Sequence, residues 1–447
     1  MNRLRLFCLL PLAAVLTLAT ACKAVSPAET APAPQPATVQ TQPTTPAPTE
    51  TTVPEATVPQ TTAPLVQSLT LTFAGDCTLG SNPNNYFADC GFIKTVGDDY
   101  GYPFRNVLPY FTQDELTLVN LEGTFCDQGN PRQKRHVFRG PTDYVRILTE
   151  NSVELVNLAN NHSMDYGQAG YDSTLNTLDK AGIPYIQQEQ SLLITTSSGL
   201  VVGLYGAVYY HLDQEEMVRQ VRQLRQDGAQ LVIVAPHWGV ENTYTPTTEQ
   251  QSFGHAAIEA GADIVFGTHP HVLQPIEQYQ DGVIFYSLGN FSFGGNTAPK
   301  DFDTALIQQE ILLNPDGSVQ LGERTVIPAC VSSVEGVNNF QPTPYPEGSE
   351  GYQRVLEKLG ACRRPLKNPP NRAKAAKKRL TKRSFSVIMN QHDRDGRFLC
   401  VAAANLAVEH MIFDRRCIPN EAYLPAQPSS PFQGPRFPSE NGDFQRP

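Results

Sequence analysis

The sequence predicts an α/β fold, a sandwich of mixed sheets covered by helices. Six short apolar runs rich in β-branched residues, each followed at once by polar residues or glycine, are typical of buried strands. Helical patterns lie between these runs, and strands that alternate with helices favour a largely parallel sheet covered on both faces. Closely spaced apolar runs elsewhere in the chain predict hairpins, so we expect the sheet to be mixed or doubled.

The predicted elements follow one another along the chain in a regular order. In the first helix Leu175 and Leu178 share one face, and Gly261 directly after the third helix is a residue type that commonly ends helices. Together the elements define one domain at residues 68–335. Strands are predicted at 69–74, 116–119, 153–159, 231–235, 263–266 and 283–288, helices at 168–180, 214–225 and 249–260, and hairpins within 192–210 and 304–326.

The first 67 residues do not belong to this domain. Residues 1–22 have the charged, then apolar, then small-residue order of a secretory signal peptide, and Cys22 predicts a lipoprotein whose mature chain begins at a lipidated cysteine. Ordinary cleavage nearby, which leaves no lipid, is the alternative. Residues 23–67, mostly Pro, Thr, Ala and Gln, predict a disordered tether, because they have too little apolar surface to offset the entropy of ordering. We therefore expect an extracytoplasmic protein, either anchored to the cell membrane or secreted.

The C-terminal stretch at residues 336–447 differs in composition from the domain. Residues 363–383 carry ten Lys or Arg and no acid, and the chain ends in a segment rich in proline and serine. This stretch is a disordered tail, a frameshifted end of the reading frame, or a basic appendage that rests on anionic wall polymers. The net charge of the whole chain is −10, which argues against a nucleic-acid partner, because binding to a phosphate backbone requires a basic face.

Polar side chains follow the predicted strands at the point where each strand ends. In open α/β sheets ligands bind at the carboxyl ends of the strands, so loops that are distant in sequence converge on one crevice. We therefore expect a single site built from carboxylates, amides and imidazoles. Its members are Asp76, Glu122, Asn161, His162, Asp165, His237, His269, His271 and Asn290.

This set of side chains has the chemistry of a metal site. Imidazole together with carboxylate suits Zn²⁺, Mn²⁺ or Fe, and a carboxylate can bridge two ions about 3.5–4 Å apart. Two ions can clamp the attacking and leaving oxygens of a displacement at phosphorus, and they lower the pKa of a bound water. The Gly75-Asp76 pair alone is a common turn. The His269-Pro270-His271 sequence indicates more, since packing does not explain two histidines directly after a buried strand.

Six short motifs occur in order across about 220 residues of the domain. They are Ala-Gly-Asp at 74–76, Asn-Leu-Glu at 120–122, Asn-Leu-Ala-Asn-Asn-His at 157–162 with Asp-Tyr-Gly at 165–167, His-Trp-Gly-Val-Glu at 237–241, Gly-Thr-His-Pro-His at 267–271 and Tyr-Ser-Leu-Gly-Asn-Phe at 286–291. This ordered set resembles the CapA family, the poly-γ-glutamate capsule synthesis proteins. The resemblance implies a calcineurin-like metallophosphoesterase sandwich, often exported or membrane-anchored, that acts on or near an anionic envelope polymer.

If the protein is a metal-dependent hydrolase, individual residues would have distinct roles. His162 would donate a proton or orient the leaving group, with Asp165 as its partner. Arg139 would pair with an anionic group of the substrate, or else form a surface salt bridge, and Asn290 would also face the substrate. The ligands of one or two divalent ions, Mn, Zn or Fe, would be Asp76, Glu122, Asn161, His237, His269 and His271.

Two positions depart from the metallophosphoesterase pattern. The superfamily usually has a His two places after the first Asp, where this chain has Thr78, and its Gly-Asp motif is replaced here by Asn-Leu-Glu at 120–122. CapA proteins are similar in both changes. The departures bear on which metal is bound, on whether both metal positions are filled, and on phosphoesterase activity itself.

Two functions remain open at this stage. The first is a metal-dependent, phosphoesterase-like hydrolase of a phosphoester or of a capsule-linked substrate. The second is a non-catalytic component of a capsule synthesis or export complex that binds poly-γ-glutamate, with the metal serving structure or the carboxylates of the polymer. In both cases the expected partners are an anionic envelope polymer, namely poly-γ-glutamate, a capsule synthesis complex in the membrane, and the membrane itself through the lipid anchor.

Overall fold

The computed structural model describes residues 66–83 and 91–360, together with the backbone of strands at 386–392 and 398–402. The predicted signal peptide at 1–22, nearly all of the predicted tether at 23–67 and most of the predicted tail beyond residue 360 lie outside the described residues. What the sequence indicates about those segments therefore stays a prediction.

Strands hold more of the described residues than helices do, and they form because apolar, β-branched runs are interrupted by glycine and polar turns. They are β1 (Gln67–Thr78), β2 (Leu116–Leu121), β3 (Thr124–Phe125), β4 (Arg139–Gly140), β5 (Leu155–Asn157), β6 (Tyr185–Ile186), β7 (Ser191–Thr195), β8 (Val201–Val208), β9 (Leu231–His237), β10 (Ile264–Phe266), β11 (Leu273–Tyr279), β12 (Gly282–Leu288), β13 (Asn290–Phe293), β14 (Asp303–Leu313), β15 (Val319–Cys330), β16 (Thr343–Pro344), β17 (Ser386–His392) and β18 (Phe398–Ala402).

The helices lie between strands and have clear start and stop signals. The Asp213 side chain caps the start of α5, and Thr247 and Gln250 form a capping box at the start of α6. Gly182 and Gly261 end α4 and α6 in the left-handed conformation that glycine adopts without strain. The helices are α1 (Phe92–Val96), α2 (Leu108–Phe111), α3 (Val145–Thr149), α4 (Gly167–Ala181), α5 (Gln214–Gln226), α6 (Thr248–Ala260) and α7 (Glu350–Lys358), with a 3₁₀ turn at Thr142–Tyr144.

None of the helices in the described residues combines the length and the apolar character needed to cross a membrane.

Two mixed sheets form the framework. The first has the strand order β16-β15-β14-β1-β2-β5-β6, with β13 paired to β1, and the second has the order β11-β12-β10-β9-β8-β7-β17-β18. The strands β1, β2, β5 and β6 are parallel in the first sheet, as are β8, β9, β10 and β12 in the second. Antiparallel strands extend both sheets outward. The prediction of a mixed, doubled sheet is therefore confirmed.

The two sheets pack face to face, and helices cover their outer faces. Phe73 from β1 lies 5.5 Å from Phe266 and 5.3 Å from Phe285, measured between ring centroids, so the first sheet contacts the second directly. Apolar side chains of both sheets form this central core. The outer face of the first sheet packs against the segment containing α1–α4, and that of the second against α5 and α6. The architecture is thus a sandwich of mixed sheets covered by helices, as the sequence predicts.

The predicted elements lie where the structure has them. Each of the six predicted strands coincides with β1, β2, β5, β9, β10 or β12, and the three predicted helices coincide with α4, α5 and α6. Both predicted hairpins are confirmed, since β7 pairs antiparallel with β8 and β14 pairs antiparallel with β15. The periodic pattern of apolar residues therefore carried enough information to locate the framework.

The packed structure continues past the boundary predicted at residue 335. Val355 on α7 and Leu359 just after it are fully buried in the central core. On the polar side, Arg354 and Lys358 pair with Asp303 at 2.6 and 2.7 Å. Beyond this helix, β17 pairs antiparallel with β7, and β18 with β17, at one edge of the second sheet. The domain thus extends at least to residue 360.

Candidate metal centre

Strand register brings the polar side chains of the first sheet together. Asp76 near the end of β1 lies opposite Asn120 on β2 and Asn290 on β13, and Asn120 lies opposite Asn157 on β5. A Cβ on Gly75 would stand 2.0 Å from the carbonyl oxygen of Gly289, so only glycine allows the chain to approach so closely just before Asp76. The carboxyl ends of these strands therefore meet at one edge, as predicted.

Glu122 occupies the middle of the site. Its Oε1 lies 3.7 Å from Nε2 of His162, 3.8 Å from Nε2 of His237 and 3.7 Å from Nε2 of His271. The side chain is fully buried, and among the described residues neither carboxylate oxygen has a hydrogen-bond partner. Because a buried carboxylate without partners is strongly unfavourable, the surroundings of Glu122 call for a cation.

A first group of donors combines two carboxylates with an imidazole. One ligand atom each from Asp76, Glu122 and His271 lies within 4.8 Å of the others. The His271 Nδ1 atom lies 3.1 Å from Oδ2 of Asp76 and 3.0 Å from Oδ1 of Asn290. With Nδ1 engaged in this way, Nε2 is the nitrogen that faces Glu122, and it is the atom that could ligate a metal.

A second group of donors combines an amide oxygen with two imidazoles. His237 Nε2 lies 3.0 Å from Oδ1 of Asn161 and 3.1 Å from Nδ1 of His269. On the other side of the ring, His237 Nδ1 lies 2.9 Å from the hydroxyl of Thr268, which holds the ring in this orientation. Three donor atoms of the kind that bind Zn²⁺, Mn²⁺ or Fe thus point at one another beside Glu122.

The histidines of the centre differ in the charge state that their surroundings favour. Burial is the largest cause that holds the pKa of His237 well below its usual range, and burial lowers the pKa of His269 to about 3. Both imidazoles are therefore neutral and have free lone pairs. Burial opposes the charging of His271, yet the carboxylates of Glu122 and Asp76 raise its pKa. Positive charge is thus favoured between those two carboxylates, where a divalent ion would supply it.

The backbone of the His269-Pro270-His271 turn is strained. His269 has a φ of 99° and His271 a φ of 57°, both in the region that residues with a Cβ rarely adopt. Strain of this kind persists only where the surrounding structure enforces it, and it concentrates at functional sites. The turn therefore holds its two imidazoles in position in a strained backbone conformation. This strain favours a functional role for the turn over a purely structural one.

Buried amides fix the orientation of Asp76. The Asn120 side chain donates a hydrogen bond of 2.9 Å to Oδ1 of Asp76, and its own oxygen accepts from the amides of Asn157 and Asn160 at 3.2 and 3.1 Å. Asn160 in turn accepts a hydrogen bond from the backbone N–H of His162. This chain of amides links three strand ends and leaves Asp76 Oδ2 directed at the first donor group.

The predicted catalytic pair, His162 and Asp165, is assembled. His162 Nδ1 lies 2.7 Å from Oδ2 of Asp165, and Lys134 pairs with the other oxygen of that carboxylate at 2.6 Å. The ring of His162 packs 4.4 Å from that of Phe138, measured between centroids, and burial lowers the pKa of His162. A neutral His162 therefore donates through Nδ1 to Asp165 and presents Nε2 to the centre.

The two residues predicted to bind substrate lie in different settings. Arg139 lines a small pocket together with Glu122 and Thr78, and its guanidinium carbon lies 5.2 Å above the ring of Tyr166. Asn290 contacts His271 instead, through its oxygen to Nδ1 and through its amide, which donates to the His271 carbonyl at 3.2 Å. Asn290 thus holds a ligand candidate in place, whereas Arg139 lines the pocket beside Glu122 at the edge of the centre.

Three residues of the site received no role from the sequence. Asn120 and Glu241 lie inside two of the six motifs, and these positions could have identified them as residues of the site. Lys134 had no such signal, because it lies in an exposed loop and approaches Asp165 only through the fold. Reasoning from strand ends finds residues directly after strands and misses those that reach the site from a long loop.

The fold and the site together define a class of protein: an α/β sandwich of two mixed sheets with a candidate two-ion centre at the strand ends. Residues 70–295, just over half of the chain, match the family described as "Bacterial capsule synthesis protein PGA_cap". The chain belongs to this family, as the ordered motifs predict.

Similar proteins of known name agree with this assignment. The chain is 29% identical over 276 residues to the capsule biosynthesis protein CapA of Bacillus anthracis, a match that covers 55% of this chain and 64% of that one. It is also 29% identical over 280 residues to the PGA biosynthesis protein CapA of Bacillus subtilis, covering 57% and 70%. The match to the first of these relatives thus spans slightly less than two thirds of its length.

Among solved structures, the chain is similar to the NAD nucleotidase NadN of Haemophilus influenzae. The TM-score is 0.34 and the sequence identity 12%, with 66% of this chain and 63% of that chain covered.

Proposed function

We propose that this protein is a metal-dependent, phosphoesterase-like hydrolase that serves poly-γ-glutamate capsule synthesis or the metabolism of another envelope polymer. One observation carries the proposal. The Glu122 carboxylate is fully buried and has no hydrogen-bond partner in the part of the chain that the structure describes, and imidazole nitrogens of three histidines lie 3.7–3.8 Å from its Oε1. A carboxylate so placed is suited to bridge two ions.

Two sets of residues would hold the ions. Asp76, Glu122 and His271 would form one set, and Asn161, His237 and His269 the other, with Glu122 between them. Ions bound there would supply a nucleophilic hydroxide near neutral pH and would neutralise charge on the reacting phosphoester. The neutral donors of the second set and the acidic donors of the first suit Mn, Zn or Fe, and the donor chemistry does not select among them.

His162 is the candidate for proton transfer. Its Nε2 faces the centre, and Asp165 holds the ring through Nδ1 at 2.7 Å. After taking up a proton, the ring would give it to the oxygen of the leaving group, and Asp165 would stabilise the charged form. Arg139, on the pocket beside Glu122, would pair with a negative group of the substrate.

The location and partners that we propose come from the sequence and from the relatives. The names of the two Bacillus relatives refer to capsule or PGA biosynthesis, which supports an anionic polymer, poly-γ-glutamate, as partner. The signal-like residues 1–22 and the Pro/Thr-rich residues 23–67 support export, with lipidation at Cys22 and a tether at the membrane surface. There the domain would work beside a capsule synthesis complex in the membrane.

A second function, binding of poly-γ-glutamate without catalysis, is favoured by a different observation. Residues 127–136 are exposed beside the centre and include Arg132, Lys134 and Arg135, although the chain as a whole has a net charge of −10. Local positive charge of this kind attracts a polyanion. In this case ions at the centre would hold carboxylates of the polymer.

Activity and binding assays separate the two functions. Full-length protein loaded with Mn²⁺ or Zn²⁺ is tested against p-nitrophenyl phosphate and bis-p-nitrophenyl phosphate, beside the His162→Ala variant. Hydrolysis that depends on metal and falls by about 10²-fold or more in the variant supports the enzyme. If the loaded wild type hydrolyses neither ester and instead binds poly-γ-glutamate, the hydrolase is contradicted and the binding function takes its place.

A further inference from the structure

A carboxylate with no assigned role stands on the open side of the centre. One ligand atom each from Glu241, His269 and His271 lies within 4.8 Å of the others. Glu241 is exposed, whereas Asp76 and Glu122 are fully buried. The imidazole of His271 thus belongs to two groups of donors, one facing the interior and one facing solvent.

The backbone holds Glu241 in place although its side chain is exposed. The amide of Trp238 donates to the carbonyl of Thr268 at 3.0 Å, and the amide of Thr268 donates to that of Pro236 at the same distance. Directly after Glu241, the amide of Asn242 donates to the carbonyl of Pro270 at 2.8 Å. The loop that carries Glu241 is therefore tied to the residue between His269 and His271.

The backbone dihedral angles also indicate that the loop carrying Glu241 is held in a fixed conformation. Asn242 has a φ of 59°, a left-handed conformation that is strained for a residue with a Cβ, although asparagine tolerates it better than most residues do. His269 and His271, on the facing turn, also have positive φ. Two facing turns with enforced conformations set the distance between the Glu241 carboxylate and the two imidazoles.

Charge and donor number explain what a third carboxylate would do. Two divalent ions bring four positive charges, and the buried carboxylates of Asp76 and Glu122 offset two of them. The interior group that includes His271 offers three protein donors, whereas Zn²⁺ takes about four ligands and Mn²⁺ about six. A carboxylate on the solvent side would therefore add both a negative charge and an oxygen ligand.

We infer that Glu241 is a third carboxylate ligand of the metal centre, and that it binds a divalent ion from the solvent side, where its carboxylate lies near His269 of one ligand set and His271 of the other. This inference rests on the proposed function, since it requires that the centre bind metal. In this inference Glu241 is a metal ligand, and it is neither a substrate-binding residue nor an exposed residue without a role.

The test compares metal binding by the full-length wild type with that of Glu241→Gln, which keeps the size of the side chain and removes its charge. Glu249→Gln is the matched control, because Glu249 is an exposed glutamate in the first turn of α6. Metal content is measured by elemental analysis after loading with Mn²⁺ or Zn²⁺, and affinity by competition with a chromogenic chelator. We expect Glu241→Gln to bind at least one ion about tenfold or more weakly, and Glu249→Gln to match the wild type.

A spectroscopic measurement keeps the inference testable if Glu241→Gln proves unstable. In the Co²⁺-loaded protein, the visible bands should differ between the wild type and Glu241→Asp, whose shorter carboxylate changes the ligand distance. Unchanged metal content and affinity in Glu241→Gln, or unchanged Co²⁺ bands in Glu241→Asp, would overturn the inference. A wild type that binds no metal at all would instead refute the proposed function, so the two failures are distinguishable.

Discussion

The Asn120 amide donates a 2.9 Å hydrogen bond to Oδ1 of Asp76, and the other oxygen of that carboxylate lies 3.1 Å from Nδ1 of His271. Asn120 thus decides which oxygen of Asp76 faces the centre. Because Asn120 also accepts hydrogen bonds from Asn157 and Asn160, it couples three strand ends of the first sheet to one carboxylate. Partners of this kind orient the ligands of a metal site and raise its affinity for the metal.

Replacing Asn120 by alanine should weaken metal binding without abolishing it. The Asp76 carboxylate would lose the contact that orients it, and metal affinity should fall by about 10–100-fold. The amides of Asn157 and Asn160 would also lose an acceptor, which should lower the free energy of unfolding by about 1–3 kcal/mol. Chelator competition and urea denaturation measure the two effects. Asn314→Ala, in the turn after β14, is the control and should change neither; an Asn120→Ala variant with wild-type metal affinity would contradict the role of this amide.

Removing an imidazole should eliminate metal but spare the fold. His269 lies in a loop, while the core consists of apolar strand residues, so His269→Ala should lose bound metal and any esterase activity with little change in the thermal midpoint. His255→Ala is the matched control. That residue lies on α6, contacts Glu277 at 3.0 Å and stacks on Tyr279, away from the centre, so its loss should change neither metal content nor activity. Retention of metal by His269→Ala would count against the second donor group.

The ion pairs between α7 and β14 predict a pH dependence of stability. Burial alone would raise the pKa of Asp303, but hydrogen bonds from Arg354 and Lys358 hold it below its ordinary value of 3.8. Since the pKa is lower in the folded than in the unfolded state, the contribution of these pairs is complete above about pH 4 and is lost as the pH falls through the lowered value.

Asp303→Asn should therefore destabilise the protein by about 1–3 kcal/mol at neutral pH, less than a fully buried pair because Arg354 is half exposed. The difference from the wild type should shrink below pH 4. Denaturation in urea, followed by fluorescence of Trp238, the one tryptophan of the chain, measures it. Asp281→Asn, at an exposed turn, should be neutral at every pH, and an Asp303→Asn effect that persists unchanged at pH 3 would refute the linkage.

The predicted lipid anchor can be tested by fractionation. With Cys22 intact, the mature protein should lack residues 1–21 and sediment with membranes, because acylation of a single cysteine plus export places the chain at the membrane surface. Cys22→Ala should shift the protein to the soluble fraction. A Cys22→Ala protein that remains with membranes would mean that something other than the lipid holds it there.

Much of the fold could be predicted because its pattern is local. Buried parallel strands appear as short apolar runs, and amphipathic helices such as α5 have an apolar face at the helical spacing. The helix α7 and the strand β16 were not predicted, because the domain was predicted to end at residue 335. The helix is attached in part through Asp303, which pairs with Arg354 and Lys358, residues about 50 positions away whose pairing no local pattern indicates.

The candidate site was predicted in outline for a similar reason. Strand ends converge, so residues directly after strands could be grouped without knowledge of distances. What could not be predicted was which side chains of the site contact one another. The contact of Asn290 with His271, the ion pair of Lys134 with Asp165, and the approach of Glu241 to the histidines all depend on side-chain directions that the tertiary structure sets.

The most direct test of this account is elemental analysis of the full-length wild type, purified without chelator and measured before and after supply of Mn²⁺ or Zn²⁺. The buried Glu122 carboxylate, which has no hydrogen-bond partner among the described residues, and the converging imidazoles predict one or two tightly held transition-metal ions per chain. Protein that holds no such ion, even after metal is supplied, would contradict the metal centre and with it the proposed hydrolase.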